Sequence, residues 1–346
     1  MKLDKITNAI LLFIGFVIVL YFGKTIILPF AIAILIFFVI QEINMLIGKV
    51  RFKQYTIPSK FRSVIAFGVI ILFLIMLSNM LYANIQNISD VLPMYQVNIN
   101  KFVLKFSKYD FVDFSMLSQN VVNGSLVSNV FGLVVDSITS ILSNSFLIFL
   151  YLIFLMLERS LFEAKVKLIY TEENKYNSVR FILDNIGTSM SRYISLKTTT
   201  SLVTGILSFV VLKILDIDFA FFWAFLIFVL NFIPTIGSLV ATVFPALIAL
   251  VQFGTFIHPV IVLTIIGFIQ FLVGNVIEPK LMGNSLNISP LVVLIMLAFW
   301  GLLWGITGMI LSVPITIMII IASSQFESTK WIAIILSENG KVLDKY

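Results

Sequence analysis

The sequence has no cysteine, a single histidine at His258, and few charged residues, which make up 12% of its 346 positions. Without cysteine it can form no disulfides, iron–sulfur clusters or cysteine nucleophiles, and one histidine is too few for a histidine-built zinc site. Soluble domains are about a quarter charged, whereas 60% of this chain is hydrophobic. Its mean hydropathy of +1.09 indicates an integral membrane protein, because a globule of this size cannot bury so much apolar surface.

Motifs for nucleotide or hydrolytic chemistry are also missing. The sequence contains no glycine-rich phosphate loop, no GxSxG and no HExxH. We therefore expect no enzyme, no cofactor and no metal site, and any transport should be driven by a gradient rather than by ATP.

Long apolar runs are what the sequence does have. A transmembrane helix needs about 20 apolar residues, and such runs predict an all-α polytopic protein with about eight transmembrane helices, at 6–22, 25–40, 63–83, 137–157, 198–215, 219–251, 255–277 and 291–322. The expected organisation is an N-terminal three-helix membrane region (1–83), an extracytoplasmic amphipathic segment (84–136), a fourth span (137–157), a cytoplasmic amphipathic helix (158–197), a C-terminal transport core (198–322) and a cytoplasmic tail (323–346).

The positions of lysine and arginine predict the orientation. Placing both termini in the cytoplasm assigns 17 of the 23 basic residues there, including Lys197, and leaves Glu278 among the seven acidic residues outside. The net charge of +6 then reflects membrane topology, so nucleic acid is not expected as a partner.

Two stretches show apolar residues at alternating steps of three and four, the spacing of one helix face. The outer seam consists of Ile85, Ile88, Leu92, Tyr95, Ile99, Phe102 and Phe106, with Pro93 expected to bend it. It is expected to lie on the membrane surface or on the protein's own spans, the alternative being a neighbouring subunit. The inner seam, from Tyr176 to Tyr193, runs straight into the fifth span, so the two are candidates for one long helix.

Charge is scarcest in the C-terminal half, where 107 residues from Phe219 to Gln325 contain only Glu278 and Lys280 as formally charged side chains. Ionisable groups in such surroundings are costly, so they are paired, at an interface or functional. Pro279 and Gly283 are expected to break the helix here. The break either lines a cavity, with Lys280 as the partner of Glu278, or is an exposed turn between two spans.

A second break is expected in the run 219–251, whose 33 residues are too many for one ordinary crossing. The segment 231–238 (NFIPTIGS) divides it. It is either a kinked long span, which we favour, or two half-helices meeting in the membrane. On the fifth span Thr198, Ser201, Gly205 and Ser208 lie on one side; such small residues usually allow close helix packing and less often line a polar path.

These motifs resemble the autoinducer-2 exporter family of bacterial membrane proteins. The resemblance covers roughly 190–320 and rests on 193–198 (YISLKT), 231–237 (NFIPTIG), 274–283 (GNVIEPKLMG), 289–293 (SPLVV), 299–301 (FWG), 304–309 (WGITGM) and 312–316 (SVPIT). Thr235 stands where this family commonly has an aromatic residue or asparagine. The resemblance implies an eight-span transporter of the bacterial cytoplasmic membrane with both termini inside, assembled as a homo-oligomer, a pentamer. Some relatives resemble sodium or lithium/proton antiporters, so membership alone names no substrate.

Three functions from different classes follow as hypotheses. The first is export of a small polar solute such as autoinducer-2, the second is sodium/proton antiport, and the third is a non-transporting assembly protein organised by the two seams. The first two place the conduction path at residues on the two breaks and on the fifth span: Asn231, Pro234, Gly237, Asn275, Glu278, Pro279, Lys280, Lys197, Thr198 and Ser201. Prolines and glycine would open the backbone, asparagines would bind solute or freed backbone, and Glu278 would carry a proton or cation.

Overall fold

The computed structural model describes residues 2–49, 58–106, 143–282 and 287–340. Within these ranges every regular element is helical. The α-helices are α1 (Lys2–Phe22), α2 (Lys24–Lys49), α3 (Ser59–Phe106), α4 (Ser145–Ile169), α5 (Glu173–Ile214), α6 (Ala220–Leu230), α7 (Ile236–Phe253), α8 (Ile257–Leu272), α9 (Glu278–Met282), α10 (Pro290–Ser324) and α11 (Lys330–Leu336). A π-helical turn, Val273–Ile277, joins α8 to α9 without a gap.

The all-helical polytopic class predicted from the sequence is confirmed. Among the described residues, five helical segments are long and apolar enough to cross a bilayer: Lys24–Gly48, Lys175–Ile214, Ile236–Phe253, Ile257–Leu281 and Pro290–Ser324. Four shorter apolar helices accompany them, at Ile10–Phe22, Phe61–Met76, Ser145–Glu158 and Ala220–Leu230.

The chain folds as two compact units. Unit 1 comprises Met1–Val50, Ser140–Ile194 and Asn284–Tyr346, and unit 2 comprises Arg51–Thr139 and Ser195–Gly283. Helix α5 contributes its first half to unit 1 and its second half to unit 2. It is unbroken from Glu173 to Ile214, so the inner seam and the fifth span are one helix, as the sequence suggested.

Unit 1 is held by α1, α2 and α10 on one side and by α4 against α2 on the other. Its core cluster consists of Leu20, Trp300, Trp304 and Leu311. The indole Nε1 of Trp304 donates to the carbonyl oxygen of Leu20 at 3.1 Å. This bond ties α10 to the end of α1 and satisfies a polar group that would be costly to bury unpaired.

Helix α10 reverses direction at Gly305, where φ is 63° and ψ is −145°, a conformation essentially restricted to glycine. In a straight helix, residues eight apart are separated by about 12 Å. Here a Cβ added to Gly308 would overlap the carbonyl oxygen of Trp300, and one added to Gly301 would lie 2.9 Å from Cε of Met309. The two arms of α10 are therefore folded against each other, and the single span predicted at 291–322 is wrong.

Unit 2 contains the outer seam, which packs on its own chain. Tyr95, Ile99 and Phe102 are all buried, and the rings of Phe102 and Phe256 meet at 4.6 Å. Helix α3 runs through Pro93 without ending, so the expected boundary at 83/84 falls inside one helix. The side chains of the other seam residues, and the segment 107–136, lie outside the described residues.

Candidate functional site

Helices α6 and α7 of unit 2 form an antiparallel hairpin. The rings of Trp223 and Phe244 approach to 6.3 Å, and a Cβ on Gly237 would overlap the carbonyl oxygen of Leu230. With 11 residues, α6 is about 16 Å long, roughly half of the 30 Å hydrocarbon core. The kinked long span favoured from the sequence is therefore wrong, because the chain reverses between α6 and α7. Of the two arms only α6 has the length of a half-helix, since the 18 residues of α7 are enough to cross a bilayer. The reversal is possible because Gly237, having no side chain, allows the two backbones to touch.

The tip of this hairpin, residues 231–235, is a strained turn. The amide of Ile236 donates to the carbonyl oxygen of Pro234 at 2.6 Å, and the intervening Thr235 has φ 61° and ψ −60°. This is a γ-turn with a positive central φ, a rare and strained conformation for a β-branched residue. Strain of this kind concentrates at ligand-binding and switch regions.

The tip is attached to α5 by a buried polar contact. The side-chain amide of Asn231 donates to Ser201 Oγ at 3.1 Å, and both residues are buried. The structure thus brings together two residues that the sequence analysis had placed on separate segments of the candidate path.

One helical turn before Ser201, α5 carries the charge that balances Glu278. Lys197 Nζ lies 2.6 Å from Glu278 Oε1, and the two side chains are only 6% and 18% exposed. The expected partnership between Glu278 and Lys280 is wrong, since the ion pair of Glu278 is with Lys197 and Lys280 is exposed. The contact also does not fit the side assignments made from the sequence, which placed Lys197 in the cytoplasm and Glu278 outside.

Pro279 does not break its helix, contrary to the prediction. Gly283, the other residue expected to break it, lies outside the described residues. The helix continues from Ile257 to Met282 through the π-helical turn Val273–Ile277. A proline inside an α-helix lacks an N–H and clashes with the carbonyl four residues earlier, and a wider turn just before it provides room. The side-chain amide of Asn275 donates to the carbonyl oxygen of Phe271 at 3.1 Å, so Asn275 satisfies backbone in this altered turn. Gln270, just before this turn, is buried, whereas Gly274, within it, is exposed.

The small-residue side of α5 serves close packing and also carries hydroxyls. A Cβ on Gly205 would meet the Ala224 carbonyl oxygen and Phe228 Cβ, both at 3.2 Å. Thr200 and Thr204 donate to carbonyls of their own helix.

Two further polar groups in unit 2 were not singled out as site residues from the sequence. Ser208 Oγ and Gln270 Nε2 are buried without a hydrogen-bond partner among the described residues. Of the remaining predicted site residues, Thr198 and Pro234 are half-buried and Pro279 is exposed. The sequence did contain a signal for Gln270, because it is a polar residue within an apolar run.

At the other end of unit 2, a polar cluster fixes the base of the hairpin to α3. The hydroxyl of Tyr95 donates to Asp218 Oδ2 at 2.7 Å. Gln252 Oε1 accepts from the Asp218 amide at 2.9 Å, and its Nε2 donates to the Asp216 carbonyl oxygen at 2.8 Å. Burial, reinforced by the Asp218 carboxylate, raises the pKa of the Tyr95 phenol, so it remains a donor. In the described ranges no three acidic or histidine side chains converge as metal ligands would.

The chain is similar to a known protein family over most of its length. Residues 10–328 match the family model described as AI-2E family transporter. The chain is 40% identical over 187 residues to a protein of Borreliella burgdorferi named as a transport protein, covering 53% of this chain and 51% of that one. It is 36% identical over 205 residues to the AI-2 transport protein TqsA of Escherichia coli, covering 59% and 58%. A protein of Haemophilus influenzae named as a transport protein is 35% identical over 216 residues, covering 62% of each chain. The chain thus spans between half and two thirds of the length of these relatives.

Proposed function

This chain belongs to the AI-2E family of transporters, and from this premise we propose that it exports a small polar solute such as autoinducer-2 without using ATP. The substrate class is supported by the 36% identity to a protein named for AI-2 transport. The observation that carries the proposal is the buried Lys197–Glu278 ion pair one helical turn from the contact between Asn231 and Ser201.

These four side chains form a polar site suited to an uncharged, hydrogen-bonding solute. The ion pair is neutral as a whole, so such a solute meets no net charge in a low-dielectric region. The Asn231 amide and the Ser201 hydroxyl already hydrogen-bond each other, and a solute hydroxyl or carbonyl can replace either partner at little cost. The tip also carries the strained γ-turn at Thr235, and we expect it to move when solute is released, because strain of this kind concentrates at switch regions.

The membrane topology proposed here keeps both termini on the cytoplasmic side. Helices α1, α2, α3, α4, α5 and α8 cross the membrane, whereas the α6–α7 hairpin and the two arms of α10 each return to the side they entered from. The number of crossings is then even. Two re-entrant segments replace two of the eight expected spans, so the sidedness of the termini survives although the count of full spans changes. We place this protein in a bacterial cytoplasmic membrane, as a homo-oligomer of five subunits.

The test is a flux assay on purified protein in liposomes, measuring autoinducer-2, sodium and protons side by side. We expect autoinducer-2 to leave loaded vesicles that contain the protein faster than loaded vesicles without it. Asn231→Ala should reduce the rate at least tenfold. Thr264→Ala is the matched control, because Thr264 is exposed and donates only to the Val260 carbonyl of its own helix. Absence of autoinducer-2 flux, with the protein folded, excludes this substrate.

Sodium/proton antiport is the second candidate, and Glu278 favours it. Its carboxylate is mostly buried and neutralised by a single ammonium group, which a proton or sodium ion can displace in exchange. Glu278→Gln should then abolish the sodium-induced pH change in proteoliposomes. Antiport that survives this substitution shows that Glu278 is structural.

The third hypothesis, a non-transporting assembly protein, loses part of its basis. It relied on the outer seam as a free surface, and Tyr95, Ile99 and Phe102 are buried against helices of their own unit. The subunit number is tested separately, by light scattering of the purified protein in detergent, with five copies expected.

A further inference from the structure

Unit 1 contains an apolar groove that plays no part in the proposed transport path. It has a volume of about 50 Å³ and is lined by α2, α5 and the second arm of α10, with Ile34, Phe38, Met190, Ile194 and Ile315 among the lining residues. Every lining side chain is apolar. A groove of this size is too small to enclose a ligand, so a bound chain would lie along it with one side open.

A carboxylate adjoins this groove. Glu42 lies one helical turn beyond Phe38 on α2, and Ser191 is the neighbour of Met190 on α5. Ser191 Oγ donates to Glu42 Oε2 at 2.7 Å, which fixes the carboxylate beside the groove. No lysine or arginine of the described part of the chain pairs with Glu42, whereas Glu158, Glu172 and Asp184 of the same unit each have a basic partner.

The position of Glu42 along α2 corresponds to the boundary of the membrane. The apolar segment of this helix extends from Lys24 to Gly48. Glu42 is its one acidic residue and lies six positions before its end, after which Lys49, Arg51 and Lys53 follow. The groove residues of α2 belong to the apolar run, and the carboxylate is at the depth of lipid headgroups. An apolar slot that ends in an anionic, half-buried group at this depth is complementary to an amphiphile with a cationic head.

We propose that the groove binds one acyl chain of a phospholipid whose headgroup carries a primary amine, with the ammonium group on Glu42. Moving an acyl chain from the bilayer into an apolar groove gains little, because both surroundings are equally apolar. Selection among lipids must therefore come from the head. An ammonium group supplies both the positive charge and the N–H donors that the carboxylate lacks, whereas a choline head has no donor and a glycerol head has no positive charge.

The experiment is native mass spectrometry of the full-length protein after incubation with equal amounts of phosphatidylethanolamine, phosphatidylcholine and phosphatidylglycerol of identical acyl chains. We expect phosphatidylethanolamine adducts to exceed each of the other two at least threefold. Glu42→Gln should remove that preference, while Glu172→Gln, an exposed glutamate paired with Lys175, should leave it unchanged. Equal retention of the three lipids by the unaltered protein overturns the proposal.

A second pair of variants tests the groove itself. Ile34→Trp fills the groove and should reduce lipid retention at least threefold, whereas Leu12→Trp, at a residue 76% exposed on α1, should not. Melting curves of each variant identify any that fails to fold, in which case the milder Ile34→Phe takes its place. Unchanged retention in the groove variant overturns the proposal, as does a change in subunit number without a change in lipid, because the groove would then be a contact between copies of the chain.

Discussion

Replacing the members of the Lys197–Glu278 pair one at a time and then together tests the central feature of the candidate site. The pair is buried and its N–O distance is 2.6 Å. At an effective dielectric constant of about 20, two unit charges at this separation attract by roughly 6 kcal/mol. Desolvating each ion costs several kcal/mol, which offsets most of that gain.

The change in the free energy of unfolding therefore depends on whether a substitution removes one charge of the pair or both. Lys197→Met leaves a buried carboxylate alone and should lower the free energy of unfolding by about 3–5 kcal/mol, and Glu278→Leu, which leaves a buried ammonium, should do the same. The double variant removes both charges and should lose much less than the sum. The resulting coupling energy should be at least about 2 kcal/mol, in the upper part of the range measured for contacting pairs.

Unfolding of each variant in mixed lipid–detergent micelles, followed by circular dichroism, measures these differences. Lys165 and Glu158 provide the control cycle, since they also form an ion pair but their side chains are 56% and 50% exposed. An exposed pair should show a coupling of at most about 1 kcal/mol. If the Lys197–Glu278 cycle gives a coupling no larger than this control, the two groups are solvated and the assignment of a buried, charge-balanced site is refuted.

Three further predictions concern the supports of this site. Gly237→Ala should lower the melting temperature strongly or prevent folding, because the added Cβ overlaps the Leu230 carbonyl oxygen; a melting temperature like that of the unaltered protein would contradict the close contact in the hairpin. Thr235→Gly should raise the free energy of unfolding by about 1–3 kcal/mol by relieving the positive φ, and a loss of stability in the same assay would argue against the γ-turn. Tyr95→Phe should lower it by about 1.5–3 kcal/mol, the value of a hydrogen bond to a charged group, and an unchanged value would mean that the phenol is hydrated instead.

Several features of the fold could be predicted from local sequence alone. Apolar runs of membrane length specify helices wherever water is excluded, because each backbone polar group must then be satisfied within its own segment. The same logic placed interruptions near 231–238, where glycine and proline weaken the helix. The continuity of α5 could be predicted because the helical spacing of apolar residues in the inner seam runs into the fifth span without interruption.

Pro279 shows where local rules were insufficient. A proline predicts a broken α-helix, yet the helix passes through it because a π-helical turn precedes it. Nothing in the residue pattern distinguishes a break from a widened turn, since both relieve the same clash. The same holds at 231–238, where a kink and a hairpin satisfy the local rules equally.

The scarcity of charge in the sequence was by itself enough to establish a membrane protein and to direct attention to Glu278, since an isolated ionisable group in apolar surroundings needs a reason to be there. Its partner, by contrast, was decided only by the tertiary structure. Lys197 lies 81 residues earlier, in a segment whose composition resembles a cytoplasmic loop, and no periodic pattern connects the two. They meet because α6 and α7 double back on themselves, and that reversal depends on contacts between helices rather than on the preferences of any one segment.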